Sequence, residues 1–438
     1  MTSPPSCRLV ALLVLLACWT ACTRPRAEQP IDVVLIVLDT VRAQNLPLYG
    51  YDRQTAPNLE RFARDAVTYD VAITPGTWTV PAHGALFTGV LPSFHGAERV
   101  PGARILTTPV NPQLRTLAEI LRDAGWRTGA FIGNATYVTG ILGFARGFDV
   151  FADRLPDNRA PGVVGAAIDW FAASQQQAFL FINILDPHEP YEPPAPFDTR
   201  FPGRNDHDGS YLTNRVFAGE AVTPAMRTHF LSQYDGEIAY SDEALEALFA
   251  RLRELDRYES SLIVVTSDHG EHFGEHGIAG HGNGVYEPLL RVPLLVKYPA
   301  NRGAGTRVER RVSTLGVFAT ILDAASLARP PGTQAIPLDQ PHPVWLEEID
   351  FGGNRVIVGY DGPWKLVQRR KPDATQTLLY DLASDPDELR PVQDATAAPV
   401  LRERLLTFAA LPRPNNEAPP PVIEPERERQ LRALGYIH

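Results

Sequence analysis

The sequence predicts an α/β fold: a mostly parallel sheet flanked by helices, followed by a small C-terminal antiparallel sheet. Three observations carry this expectation. Runs such as "IDVVLIVLDT" are continuously apolar and rich in β-branched residues, as strands buried on both faces must be. Amphipathic stretches lie between those runs, where a parallel sheet needs its crossover helices. Beyond about residue 340 the pattern changes to short strand-like runs separated by turn residues.

Taken in order, the first strand is followed by "TAPNLERFARDA", a helix with Pro57 in its first turn. A helix near Leu114 to Ala124 precedes a strand near Arg127 to Ile132, and a helix near Val163 to Ala173 precedes the strand "AFLFINIL". A long amphipathic helix from about Met226 to Leu255 leads into "SSLIVVTSDHG". In the small C-terminal part, "RVIVGYDGPWKLVQ" and "TLLYDLASDP" read as strands and Val400 to Ala410 as a helix. The Pro-rich "LPRPNNEAPPPVIEPE" is a stiff connector to the tail. The expected divisions are a leader over 1–22, a catalytic domain over 30–327, a small α+β subdomain over 340–411, and the connector and tail over 412–438.

The chain has 438 residues, 44% of them hydrophobic, and a formal net charge of −10. That charge argues against a nucleic-acid partner, because affinity for a phosphate backbone rests on neutralising Lys and Arg. The opening "MTSPPSCRLVALLVLLACWTAC" has an early Arg, a short apolar run and small residues before a Cys, which is an export signal. Its end resembles a bacterial lipoprotein processing site with Cys22 as the lipidated residue, although Trp19 stands where Leu is expected. The expected location is the bacterial periplasm, either soluble or held to a membrane by a lipid anchor. Cys7, Cys18 and Cys22 are the only cysteines, so the exported part has no disulfide, no Cys metal ligand and no thiol nucleophile.

In open parallel sheets chemistry gathers at the carboxyl ends of the strands. Asp39 follows the first strand, Asp186 and His188 follow "FLFINIL", Asp268 and His269 follow "LIVVTS", and His281 lies twelve residues past His269. Each alone reads as a turn residue, a helix cap or an ordinary hydrogen-bonded histidine. Together they are a set of carboxylates and imidazoles without Cys, the ligand mix of Zn²⁺ or Mn²⁺, whereas Ca²⁺ ordinarily takes oxygen alone.

These segments resemble the sulfatases of the alkaline phosphatase superfamily. The resemblance runs from "VVLIVLDTVRAQNLPLYGY" and "TPGTWTVPAHGALFTG" through "DPHEPYEPP" and "SDHGEHFGEHGIAGHG" to "LLYDLASDPDEL". It implies an alkaline-phosphatase-like fold and a metal-dependent hydrolase. Sulfatases carry Cys or Ser, any residue, Pro, any residue, Arg, and the Cys or Ser becomes formylglycine. Here Pro81 sets the alignment, which puts Thr79 at the nucleophile position and His83 at the Arg position. Threonine is not a substrate for that oxidation. The paired acids after the first strand become Asp39 and Thr40, and the family's Lys becomes His281. Related phosphodiesterases and phosphoethanolamine transferases use an unmodified Thr.

The resulting expectation is a divalent-metal enzyme with Thr79 as nucleophile, acting on small-molecule or lipid-like phosphate esters. Asp39, Thr79, Asp268 and His269 would hold one metal. His188 and His281, with His83 and Asp186, would hold a second metal or the substrate's phosphoryl oxygens. His281 is thus both a metal and a substrate candidate, and His83 and His188 are both catalytic and substrate candidates. Zn²⁺ is the expected ion, with Mn²⁺ or Ca²⁺ as alternatives, and one or two ions. Pro81 suits a first helical position, so backbone donors near Thr79 would face an oxyanion. Glu271, His272, Glu275 and His276 read as support around the metal rather than ligands. The competing expectations are a sulfuric ester hydrolase and a catalytically silent metal-binding protein.

Overall fold

The first strand, Val33–Leu38, shows why the apolar run is unbroken. Its alternate residues enter different cores: Val33, Leu35 and Val37 pack on one face of the sheet, and Val34, Ile36 and Leu38 on the other. Phe179 and Phe181 against Leu180 and Ile182, and Leu262 and Val264 against Ile263 and Val265, divide the same way. A strand with period-two side chains and both faces covered has no position for a polar residue. Each large apolar side chain so buried contributes about 1.5–3 kcal/mol.

The computed structural model describes residues 31–100, 107–205, 215–216, 219–350, 352–394, 396–414, 416 and 429. The expected leader with Cys22, and most of the Pro-rich connector and tail, lie outside the described residues. The described chain from Ile31 onward forms one compact unit. Its main sheet has eight strands in the order Arg307–Val308, Val67–Tyr69, Leu294–Lys297, Leu262–Ser267, Val33–Leu38, Ala178–Ile184, Arg127–Ile132 and Val150–Ala152. Only Leu294–Lys297 runs against the others. Among the described residues no helix is long and apolar enough to cross a membrane.

Local signals set the helix limits. The helix expected from Leu114 begins at Leu117, because Thr116 and Glu119 form a capping box. The long helix spans Pro224–Glu254, its first turn closed by the Thr223 side chain accepting from the Met226 N–H. The small sheet has four antiparallel strands, Val344–Ile349, Arg355–Asp361, Trp364–Arg370 and Thr375–Asp381. Its first strand went unrecognised in the sequence, since adjacent Glu347 and Glu348 interrupt the apolar pattern. Both are nonetheless buried. The helix Pro399–Ala409 closes over this sheet, with Phe408 stacked on Trp345 at 4.8 Å between ring centres.

A buried ion cluster joins the small sheet to the main domain. Lys365 Nζ lies 3.1 Å from Glu287 Oε1 and 2.6 Å from Glu388 Oε1. The other Glu388 oxygen accepts the Glu287 N–H at 2.7 Å. Removing that cation leaves two carboxylates in a dry interior. Lys365→Met is therefore expected to cost about 3–5 kcal/mol in urea unfolding, and an unchanged midpoint would show that the cluster does not hold the sheet.

Candidate active site

Strand register brings the first candidate ligands together. Leu38 pairs with Ser267 on the adjacent parallel strand, so Asp39 and Asp268 follow side by side at the carboxyl edge. Asn134 Nδ2 donates to Asp39 Oδ2 at 2.8 Å. Asp268 Oδ1 accepts the Thr40 N–H at 3.2 Å and the His269 N–H at 2.9 Å. His269 Nδ1 donates to the Gly270 carbonyl at 2.9 Å, which leaves the Nε2 lone pair open. That lone pair lies 3.4 Å from Asp268 Oδ2 and 3.8 Å from Asp39 Oδ1.

None of these three atoms has a hydrogen bond among the described residues, and all three side chains are buried. Burial, followed by the charge of Asp39, holds the Asp268 carboxyl well above the usual carboxylate range. Burial, with the charge of His281 next, holds the His269 imidazole well below its ordinary value. A neutral imidazole lone pair facing two carboxylate oxygens, all within 4.8 Å, is a repulsive arrangement that a divalent cation resolves. The residues present therefore fit the expected metal.

Backbone strain accompanies this cluster. Thr40 adopts φ 60°, a left-handed conformation that costs a β-branched residue about 1–3 kcal/mol. It is held there by its N–H on Asp268 and by its carbonyl, which accepts the Tyr234 hydroxyl at 2.7 Å.

Thr79 is the first residue of the helix Thr79–Thr88, with Trp78 as its N-cap. Pro81 is consequently third in the helix rather than first, where its missing N–H still costs nothing. His83, one turn on, is completely buried; its Nδ1 donates to the Thr79 carbonyl at 2.9 Å and lies 3.6 Å from Asp268 Oδ2. Phe87, Phe144 and Phe181 surround its ring. His83 thus sits under the helix start, as buried as Thr79 itself, and its Nε2 has no hydrogen bond among the described residues. Trp78 packs edge-on against Tyr137, and the Arg99 guanidinium lies 4.1 Å over its ring.

His188 and His281 form a second group with Glu189, again within 4.8 Å. Their rings are 4.9 Å apart, and the His281 ring is 4.5 Å from that of His269. His188 Nδ1 donates to the Glu189 carbonyl at 2.7 Å, and His281 Nδ1 donates to Glu271 Oε1 at 3.2 Å. Burial lowers the His188 pKa, but the carboxylates of Glu189, Asp39 and Glu271 outweigh it and raise the net value. His281 is pushed down to about 4 by burial. Burial also lifts Glu189 and Glu271 to about 7.

The sulfatase family profile matches residues 31–327. The chain belongs to the sulfatase family. It is similar to the multifunctional alkaline phosphatase superfamily protein PehA of Trinickia caryophylli, at 25% identity over 82% of this chain and 90% of that protein. Among solved structures it resembles the phosphonate monoester hydrolase of Agrobacterium radiobacter, with TM-score 0.73 and 21% identity over 87% of this chain and 95% of that one. It also resembles BT4656, solved with its substrate D-glucosamine-2-N,6-O-disulfate, with TM-score 0.68 and 17% identity over 87% and 97%. These structures share the alkaline-phosphatase-like fold, and the chain is a sulfatase-family hydrolase.

Within this sulfatase-family site, one expected residue is elsewhere. Asp186 is in neither group of candidate ligands: its Oδ2 accepts the Ala160 N–H at 2.7 Å at the start of the helix Ala160–Ala172, and Oδ1 pairs with Arg159 at 3.0 Å. It is a capping residue, a role its position after a strand equally allowed. Glu275 pairs with Arg42 and Arg227, and His276 stacks on Tyr286 at 3.6 Å, so both serve the surrounding loop. Asn134 and Glu189 were not singled out from the sequence. Glu189 had a signal, since it adjoins His188 in "DPHEPYEPP"; Asn134 had none, because its partner Asp39 is 95 residues away.

The paired acids give a test of metal binding that does not depend on turnover. In chelator-treated protein Asp268→Asn is expected to raise Tm, since it removes one of two repelling buried carboxylates. With Zn²⁺ at a hundredfold excess over Kd, wild type is expected to gain about 2.7 kcal/mol and the variant nothing. A Zn²⁺ shift of equal size in both proteins would remove Asp268 from the ligand set.

Proposed function

We propose that this sulfatase-family chain is a metal-dependent hydrolase or transferase of phosphate or phosphonate esters that uses Thr79 as its nucleophile. The observation that carries this reading is the buried trio of Asp39, Asp268 and His269, with uncompensated donor atoms, at a site whose family nucleophile position holds an unmodifiable threonine. The likeness in fold to a phosphonate monoester hydrolase supports the same substrate class.

A divalent cation, Zn²⁺ in our reading, supplies a Lewis acid that favours an ionised hydroxyl and offsets phosphoryl charge. Thr79 loses its proton to solvent, and its Oγ1 attacks phosphorus. The P–Oγ1 bond forms as the ester P–O bond breaks, and the departing oxygen keeps the electron pair. His188, whose raised pKa favours the charged form, gives that oxygen a proton. It then takes one from the water or alcohol that displaces Thr79. His281, neutral and oriented by Glu271, presents the lone pair that suits a second cation or an attacking water. His83 holds the Thr79 carbonyl and faces Asp268 through Nδ1, which leaves its Nε2 for a phosphoryl oxygen or a second cation.

Sulfate esters are the second reading, favoured by the family and by the substrate in the BT4656 structure. The two readings separate on paired para-nitrophenyl esters: phosphate monoester, phosphate diester, phenylphosphonate and sulfate. We expect turnover of a phosphorus ester to fall at least about a thousandfold in Thr79→Ala. Sulfate turnover that persists in Thr79→Ala would overturn the proposed mechanism.

Export is part of the proposal and rests on the leader sequence. In cells given radiolabelled palmitate the wild type is expected to take up label and the Cys22→Ala variant none. Wild-type protein without label would rule out the lipid anchor.

A further inference from the structure

The segment that delivers Thr79 is fastened at four points, Leu290, Asp268, Gly282 and Glu348. At Thr74, the N–H donates to the Leu290 carbonyl at 2.9 Å and Oγ1 to the Asp268 carbonyl at 2.5 Å. At Thr77, the carbonyl accepts the Gly282 N–H at 2.9 Å, beside His281. The remaining Thr77 groups turn to the small C-terminal sheet. Its N–H donates to Glu348 Oε2 at 2.9 Å, and its Oγ1 makes a short bond to Glu348 Oε1. Gly76 lets the segment fold back on the helix start, since a Cβ there would lie 2.7 Å from the Ala82 nitrogen.

Thr77 is therefore the point at which the small sheet, the His281 loop and the nucleophile share one reference. A carboxylate that accepts from both the amide and the hydroxyl of one residue fixes its peptide plane and its χ1 together. Glu348 is buried, and an apolar residue on this strand would leave two donors of Thr77 without acceptors. We infer that Glu348 is a positioning residue for Thr79, which makes the small C-terminal sheet a working part of the catalytic site. The inference rests on Thr79 as nucleophile and deepens that reading.

The test uses the full mature protein loaded with Zn²⁺ and the para-nitrophenyl ester that wild type turns over best. It compares Glu348→Ala, Glu348→Gln, Thr77→Val and the Glu348→Ala/Thr77→Val double variant. A misplacement of the nucleophile by about 1 Å predicts a loss of roughly a hundredfold in kcat, with KM and bound metal per folded molecule near wild type and a lowered Tm. Gln keeps one acceptor and should fall between Ala and wild type. The double variant should be no slower than Glu348→Ala alone, because both changes break the same contact. If Glu348→Ala does not fold, Gln and Thr77→Val carry the comparison.

Wild-type kcat in folded Glu348→Ala, or losses that simply add in the double variant, would overturn the inference. So would a kcat loss wholly matched by lost metal or lost folded fraction. Thr79→Ala separates the two layers: turnover that survives it overturns the nucleophile and this inference together. Turnover lost in Thr79→Ala but intact in Glu348→Ala overturns only the role of Glu348.

Discussion

The unneutralised pair of Asp39 and Asp268 is the constraint around which the rest of the structure is arranged. Two carboxylates at the ends of adjacent strands, both buried, repel each other in a medium that screens poorly. Among the described residues no Lys or Arg pairs with either. The protein instead sets a neutral imidazole lone pair against them, which is a suitable donor for a metal and useless as a counter-charge. The surrounding hydrogen bonds follow from this. Asn134, the Thr40 N–H and the His269 N–H each occupy the outward oxygens, so that the inward ones remain free and aimed.

Holding that arrangement takes rigidity from both faces of the sheet. Strands whose alternate residues serve two cores cannot slip by one residue without exchanging both sets, so the level of Asp39 against Asp268 is tightly determined. The strained Thr40 is tolerated because Asp268 and Tyr234 hold its N–H and carbonyl at once. Strain at such a point fixes the geometry of the candidate ligand set through the protein's own hydrogen bonds. The histidines carry the same logic outward: each Nδ1 that is tied to a carbonyl or carboxylate leaves its Nε2 with a defined direction.

The small sheet enters through polar contacts as well as packing. Glu287, Lys365 and Glu388 tie it to the main domain, while Glu348 reaches the segment ahead of Thr79. Neighbouring Glu347 is taken up by Ser93 at 2.6 Å and by Arg413. Two successive acids on one strand thus serve opposite sides of it, which is the ordinary consequence of period-two side chains.

Sequence alone determined the main sheet, most of its helices, and the residues Asp39, Asp268, His269, His188 and His281 as a set. Continuous apolar runs and the polar residues that end them are local signals, and local physics suffices to read them. Through its resemblance to the sulfatases the sequence also aligned Thr79, two residues before Pro81, with that family's nucleophile position. Only the tertiary structure decided which polar residues meet. Asp186 and Asp39 look alike in sequence, yet one caps a helix and pairs with Arg159 while the other faces His269. The strand carrying Glu347 and Glu348 was hidden because charge argues against burial until its partners are known. Asn134 and Glu348 act on residues 95 and 271 positions away, and no local pattern encodes a contact that exists only when the chain has closed.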